Sequence, residues 1–186
     1  MATETSTRLA YEDYVELPDD GNRYEIIDGE LFVNPAPVPR HQMIVANLLS
    51  ALHHYLRQHG GGCVLTSPID VLLGPGNVVQ PDLIIITSAN GSVVQEKNIS
   101  GAPDLTIEVL SDSTRRKDEI AKRKLYDQAG VAEYWIVDPE LEMVKIHRRI
   151  DAGFQRVAEI STETGGTITT PILAEFALDI HDVFRA

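Results

Sequence analysis

Two short apolar-rich runs, Tyr24-Glu25-Ile26-Ile27 and Glu30-Leu31-Phe32-Val33, flank Asp28-Gly29. That dipeptide favours a two-residue turn with positive φ, so the spacing predicts a β-hairpin near the start of the chain. Pro35, Pro37 and Pro39 stop its second strand. Over residues 41–58, Ile44, Val45, Leu48, Leu52, Tyr55 and Leu56 fall on one stripe at helical spacing, and Gly60-Gly61-Gly62 ends the helix. Strands are predicted over 63–73, 81–87 and 104–110, then a basic helix over about 115–129 that Gly130 stops. Three more strands follow, over 134–137, 143–149 and 154–161. This order predicts one α/β (α+β) domain over residues 1–186, a mixed β-sheet flanked by helices with an N-terminal β-hairpin.

Three charged residues sit where the pattern expects apolar ones. Asp82 stands at the mouth of a strand apolar on both faces, Leu83-Ile84-Ile85-Ile86, beside Pro81, which cannot donate to a ladder. Glu108 lies inside Leu105-Thr106-Ile107-Glu108-Val109-Leu110, where a lone carboxylate is costly unless paired, hydrogen-bonded or bound to metal. At 100° per residue, Lys122 falls on the apolar side of its helix with Asp118, Ala121, Leu125, Tyr126 and Ala129, whereas Glu119, Arg123, Lys124 and Asp127 lie opposite. An i,i+4 pair with Asp118 would explain an exposed lysine; an inward one is better explained by a polar site shared with the two acids.

The inventory suits one chemistry. Two carboxylates at neighbouring strand ends offer hard oxygen ligands for Mg²⁺ or Mn²⁺. A lysine beside them would position a water and stabilise charge growing on phosphorus. Acyl transfer would need a nucleophile and base, and no such pattern is present.

Composition narrows the field. The 186 residues are 43% hydrophobic and 24% charged, which is globular. No apolar run approaches the ~20 residues a membrane span requires, and residues 1–9 lack the apolar core of a secretory signal. The single cysteine, Cys63, fits a reducing, cytoplasmic setting. A net charge of −12 argues against coating nucleic acid by bulk charge. Charge is nevertheless uneven: residues 115–124 hold six of the sixteen Lys and Arg residues.

Pro81-Asp82 followed by Glu108 in a later strand resembles the PD-(D/E)XK nuclease superfamily. More narrowly, the chain resembles the Uma-type restriction endonuclease family. The resemblance rests on Arg23-Tyr24-Glu25-Ile26-Ile27-Asp28-Gly29-Glu30-Leu31, His41-Gln42, Pro81-Asp82-Leu83, Glu108-Val109-Leu110-Ser111, Asp118 with Lys122 and Tyr126, and 130–139 (Gly-Val-Ala-Glu-Tyr-Trp-Ile-Val-Asp-Pro). It implies a restriction-endonuclease-like core hydrolysing phosphodiester bonds in DNA. Asp82 and Glu108 would ligate Mg²⁺ (or Mn²⁺), and Lys122 and Glu25 would complete the catalytic set. Leu110 stands where the superfamily carries its strand lysine; in the Uma-type family the following helix supplies it, here Lys122, the residue the helical stripe also selects.

Other residues carry weaker expectations. His41 reads as a satisfied core histidine, Asp70 as an acid that could face the site, His53, His54 and His59 as solvated, and Trp135 as core. Arg115-Arg116-Lys117 with Arg123-Lys124 is either a phosphate track or a solvated helix face. Cleavage of both duplex strands implies a homodimer, and the apolar residues of 171–184 are enough to pack on a core or a partner. The rival reading from a different class is a non-catalytic regulatory or binding module that keeps the fold and buries its charges as a salt-bridge network.

Overall fold

A computed structural model describes residues 8–186. After a short helix α1 (Tyr11–Tyr14), the predicted hairpin forms from β1 (Arg23–Ile27) and β2 (Glu30–Asn34), with Asp28 at φ 53° and Gly29 at φ 80° in the turn. The long helix α2 (Pro39–His59) begins at a proline, whose missing N–H costs nothing in a first turn. Strands β3 (Gly62–Thr66), β4 (Val71–Leu72), β5 (Val78–Val79) and β6 (Leu83–Thr87) follow, then a 3₁₀ turn, β7 (Ile99–Ser100) and β8 (Leu105–Val109). A π-helical segment, Lys117–Lys122, runs without a break into α3 (Arg123–Ala129), which Gly130 closes at φ 92°. The chain ends with β9 (Glu133–Asp138), β10 (Met143–Ile150), β11 (Gly153–Ser161), β12 (Thr167–Thr170), β13 (Leu173–Asp179) and α4 (Ile180–Phe184).

The central sheet has six strands in the order β11-β10-β9-β8-β6-β3. Only β8 and β9 pair in parallel, so the sheet is mixed as expected. Strand alternation assigns each face a helix. Leu83, Ile85, Leu105, Ile107, Trp135 and Val137 pack with Ile44, Leu48 and Leu52 of α2. Ile84, Ile86, Tyr134 and Ile136 pack with Leu125 and Tyr126 of α3. On β8 the α3 face carries Thr106 and Glu108, so the two-residue period alone turns the Glu108 carboxylate toward the helix that holds Lys122.

One predicted strand resolves differently, and one open alternative is decided. The strand expected over 63–73 divides at Ser67-Pro68 into β3, in the central sheet, and β4, in a second sheet ordered β2-β1-β5-β4-β7. Proline has no amide hydrogen to continue the ladder, and the chain changes sheets there. The apolar C-terminal residues Leu173, Phe176, Leu178, Ile180, Val183 and Phe184 are buried in the α2 core, so they provide no surface for a partner. Trp135 is core, fully buried, its indole N–H donating to Glu133 Oε1 at 2.7 Å.

His147 on β10 lies against Tyr134 and Phe154, and its Nδ1 is buried with no hydrogen-bond partner among the described residues. Burial, reinforced by Arg123, Arg156 and Lys145, pushes its pKa down from 6.5 to about 4. The folded ring therefore stays neutral where the unfolded ring takes a proton. Its contribution to stability is present above pH ~6.5 and is lost as pH falls toward 4. Urea unfolding of the parent and of His147→Gln between pH 7 and 4 should show the parent losing stability more steeply; parallel curves would contradict this assignment.

Candidate active site

Register brings the separated acids together. Leu83 of β6 pairs with Ile107 of β8, which sets Asp82 beside Glu108 and Val109. Asp82 Oδ2 accepts a hydrogen bond from the Val109 N–H at 2.8 Å and stands 3.2 Å from His41 Nε2, in the first turn of α2. Among the described residues, no hydrogen bond reaches Asp82 Oδ1. Glu108 Oε1 accepts from Lys122 Nζ at 2.8 Å and from the Tyr126 hydroxyl at 2.6 Å. Its Oε2 likewise accepts none among the described residues. Asp82, Glu108, Lys122, His41 and Asp118 all line one cavity of about 400 Å³.

Glu25 anchors the other side of the site. Its Oε1 accepts from the Gln80 N–H at 2.9 Å and pairs with Lys122 Nζ at 2.8 Å. Its Oε2 accepts from Lys117 Nζ at 2.7 Å and Asn34 Nδ2 at 2.8 Å. Both oxygens are thus occupied by protein donors, and Glu25 orients lysines rather than offering a ligand. Asp118, the local partner expected from sequence, is the most distant of the three acids around Lys122, at 3.6 Å.

The π winding makes this possible. In an α-helix Lys117 would lie about 140° round from Lys122. With i→i+5 bonding the two sit one turn apart on the same side, and both reach the one carboxylate of Glu25. Lys117 was therefore invisible to an α-helical wheel. A signal for it exists only in the five-residue spacing of the two lysines, and nothing in the sequence marks that stretch as π.

Four carboxylates, Glu25, Asp82, Glu108 and Asp118, are 0, 6, 3 and 2% exposed. The ammoniums of Lys117 and Lys122 oppose them, an excess of two negative charges when all are ionised. The titration pattern follows. Burial works against the Glu25 anion, but Lys122 and Lys117 overrule it and hold its pKa at about 2. Burial pushes Glu108 up to about 8; Lys122 opposes this, and Asp118, Asp82 and Glu25 add to it. Asp118 is raised, again chiefly by burial. Lys122 is held well above its usual range, because Glu108, Glu25 and Asp118 outweigh the burial of its ammonium.

The remaining candidates separate. Asp70 belongs to a neighbouring network, accepting from the Tyr14 hydroxyl at 2.7 Å and Gln80 Nε2 at 3.0 Å, and does not line the cavity. His53, His54 and His59 are exposed. His41 is buried, as a core histidine would be, but it faces the cavity, and its Nδ1 has no partner among the described residues. Two members of the basic run are spent internally: Arg115 grips Asp138 at 2.5 Å and Glu140 at 2.8 Å, bracing the cavity mouth, and Lys117 is held by Glu25.

Removing the Lys122 charge leaves three buried acids facing one another. Lys122→Met should therefore cost about 3–5 kcal/mol in urea unfolding at neutral pH, the range for a broken buried ion pair. A cost below about 1 kcal/mol would mean that the acids are already neutralised by protons.

The chain matches the family model Uma2, described as "Putative restriction endonuclease", over residues 11–181. No curated protein matches it. Among solved structures, a putative nuclease belonging to DUF820 from Anabaena variabilis superposes with a TM-score of 0.79 and 19% identity, over 95% of this chain and 97% of that one. At that identity the likeness is one of fold, and it agrees with the mixed sheet and flanking helices seen here. No described helix is long and apolar enough to cross a membrane. The family match spans most of the chain, including every residue of the buried cluster, and the chain is a member of the Uma2 family.

Proposed function

We propose that this protein is a divalent-metal-dependent nuclease that hydrolyses phosphodiester bonds in DNA, in a reducing, cytoplasmic setting. The observation that carries the proposal is one cavity lined by two buried carboxylates, Asp82 and Glu108, each with one oxygen that accepts no hydrogen bond among the described residues. Burying unpaired charge is costly, and with all four carboxylates ionised against two ammoniums the deficit is the charge of one Mg²⁺ or Mn²⁺.

Asp82 and Glu108 would hold the ion. Among the described residues, no group of three or more His, Cys, Asp or Glu side chains is arranged as a metal cage. Mg²⁺ does not require one: it keeps several waters and binds through one or two carboxylates together with substrate phosphate. When bound, the metal polarises a phosphoryl oxygen and lowers the pKa of its water.

The chain's own residues supply the rest. Lys122, having no lone pair while charged, stabilises the charge that grows on the phosphoryl oxygens and orients the attacking water. Glu25 and Asp118 fix its ammonium beside Glu108. The Tyr126 hydroxyl fixes the Glu108 carboxylate, and the Val109 N–H and His41 fix that of Asp82. Were the substrate a duplex, cutting both strands would require two such sites, as a two-fold homodimer would supply.

Calorimetric Mg²⁺ titration beside a cleavage assay tests the assignment. Asp82→Asn and Glu108→Gln should lose both metal uptake and cleavage. Lys122→Met, at a temperature where it stays folded, should keep metal uptake and cleave about 10²–10³-fold more slowly. A parent that takes up no divalent ion would favour the non-catalytic module, and a Lys122→Met variant that cleaves like the parent would make the lysine structural.

A further inference from the structure

Access to the buried cluster is restricted. Glu25, His41, Asp82, Glu108, Asp118 and Lys122 are each at most 7% exposed, so a phosphate has to enter the cavity rather than lie across it. Ion pairs brace the mouth: Arg115 joins the start of the π-helical segment to Asp138 and Glu140, and Arg40 at the head of α2 holds Glu142 at 2.6 Å. A duplex presents its phosphates on a stiff rod with a persistence length of about 50 nm, and bringing one nucleotide inward requires unstacking it. A single strand has no such requirement.

A second groove, about 550 Å³, continues from this cavity between β2 and the π-helical segment. The two share Asn34, Pro35, Ser113, Thr114 and Lys117. Its exposed lining is mixed, Ile120 (57% exposed) and Pro35 beside Glu30 and Ser113, and Phe32 lies half-buried on the groove side of β2 with the Lys117 ammonium 5.7 Å from its ring. Arg116 is exposed at its rim and has no ion pair among the described residues. In sequence this arginine belongs to a basic run; in the fold its neighbours Arg115 and Lys117 are committed to acids, and Arg116 is not. Apolar platforms for base faces beside a free cation for the backbone are the parts of a single-strand track.

Resting on the nuclease reading, we propose that the groove between β2 and the π-helical segment binds single-stranded nucleic acid and feeds it to the buried site, so that the substrate is a single strand or a single-stranded arm rather than intact duplex. Bases lie against Phe32 and Ile120, Arg116 meets a backbone phosphate, and the next phosphate enters the cavity through the Pro35 and Thr114 walls. A single strand requires only one site, so the activity does not depend on a dimer.

Fluorescence anisotropy with a labelled single-stranded DNA oligonucleotide and a blunt hairpin duplex of the same sequence tests this, with Arg116→Ala/Ile120→Glu as the variant. Both positions are exposed, so the fold should survive, and Mg²⁺ titration of the variant should match the parent. The parent should bind the single strand at least 10-fold more tightly than the hairpin, the variant should lose at least 10-fold on the single strand, and a forked duplex should be cut in its arm. Equal or tighter hairpin binding, or an unaffected variant, overturns the proposal. So does a variant that changes from dimer to monomer by light scattering while still binding the strand, because the groove then seats a second copy. Single-strand binding without Mg²⁺ uptake would leave this proposal standing and remove hydrolysis; Mg²⁺ uptake with cleavage of blunt duplex would do the reverse.

Discussion

The surplus of buried carboxylate over ammonium is the constraint around which this structure is organised. Four acids meet two lysines in a space from which water is largely excluded. Such a cluster persists only if a proton or a cation makes up the difference. The rise of Glu108 is what the protein does with protons alone; a divalent ion between Asp82 and Glu108 is the alternative, and it is the one that gives the cluster a chemistry.

Ordinary elements hold this unfavourable arrangement in place. The β6–β8 register fixes the two cavity-lining acids Asp82 and Glu108 side by side, and the hydrophobic layers against α2 and α3 keep the sheet from adjusting. The π-helical segment is the exception. Its hydrogen bonding is rarer than that of an α-helix and recurs at functional sites. Here it serves a specific end: two lysines five residues apart are brought to the two oxygens of Glu25, which in turn sets Lys122 against Glu108.

Much of this was legible in the chain. The hairpin, α2, the central strands and the inward placement of Lys122 follow from period-2 and period-3.6 patterning, because each buries one face against a large core. Asp82 and Glu108 stood out as charges in apolar strands. What patterning could not supply depends on tertiary context. The split of 63–73 into two sheets, the short strands β5 and β7, and the C-terminal β12–β13 pair are held by neighbours distant in sequence. Lys117 is hidden by an assumed helical period, and His41, which reads as a satisfied core histidine, instead lines the cavity with its Nδ1 unpartnered among the described residues. Arg115 looked like free positive charge until β9 brought Asp138 to it.

The place where a divalent ion binds decides whether the buried acids are a catalytic site. Crystals grown with Mn²⁺ and measured by anomalous scattering should show one strong peak between the Asp82 and Glu108 carboxylates, with metal–oxygen distances of about 2.0–2.6 Å. A peak confined to other residues, or none at saturating Mn²⁺ with both carboxylates well ordered, would contradict it.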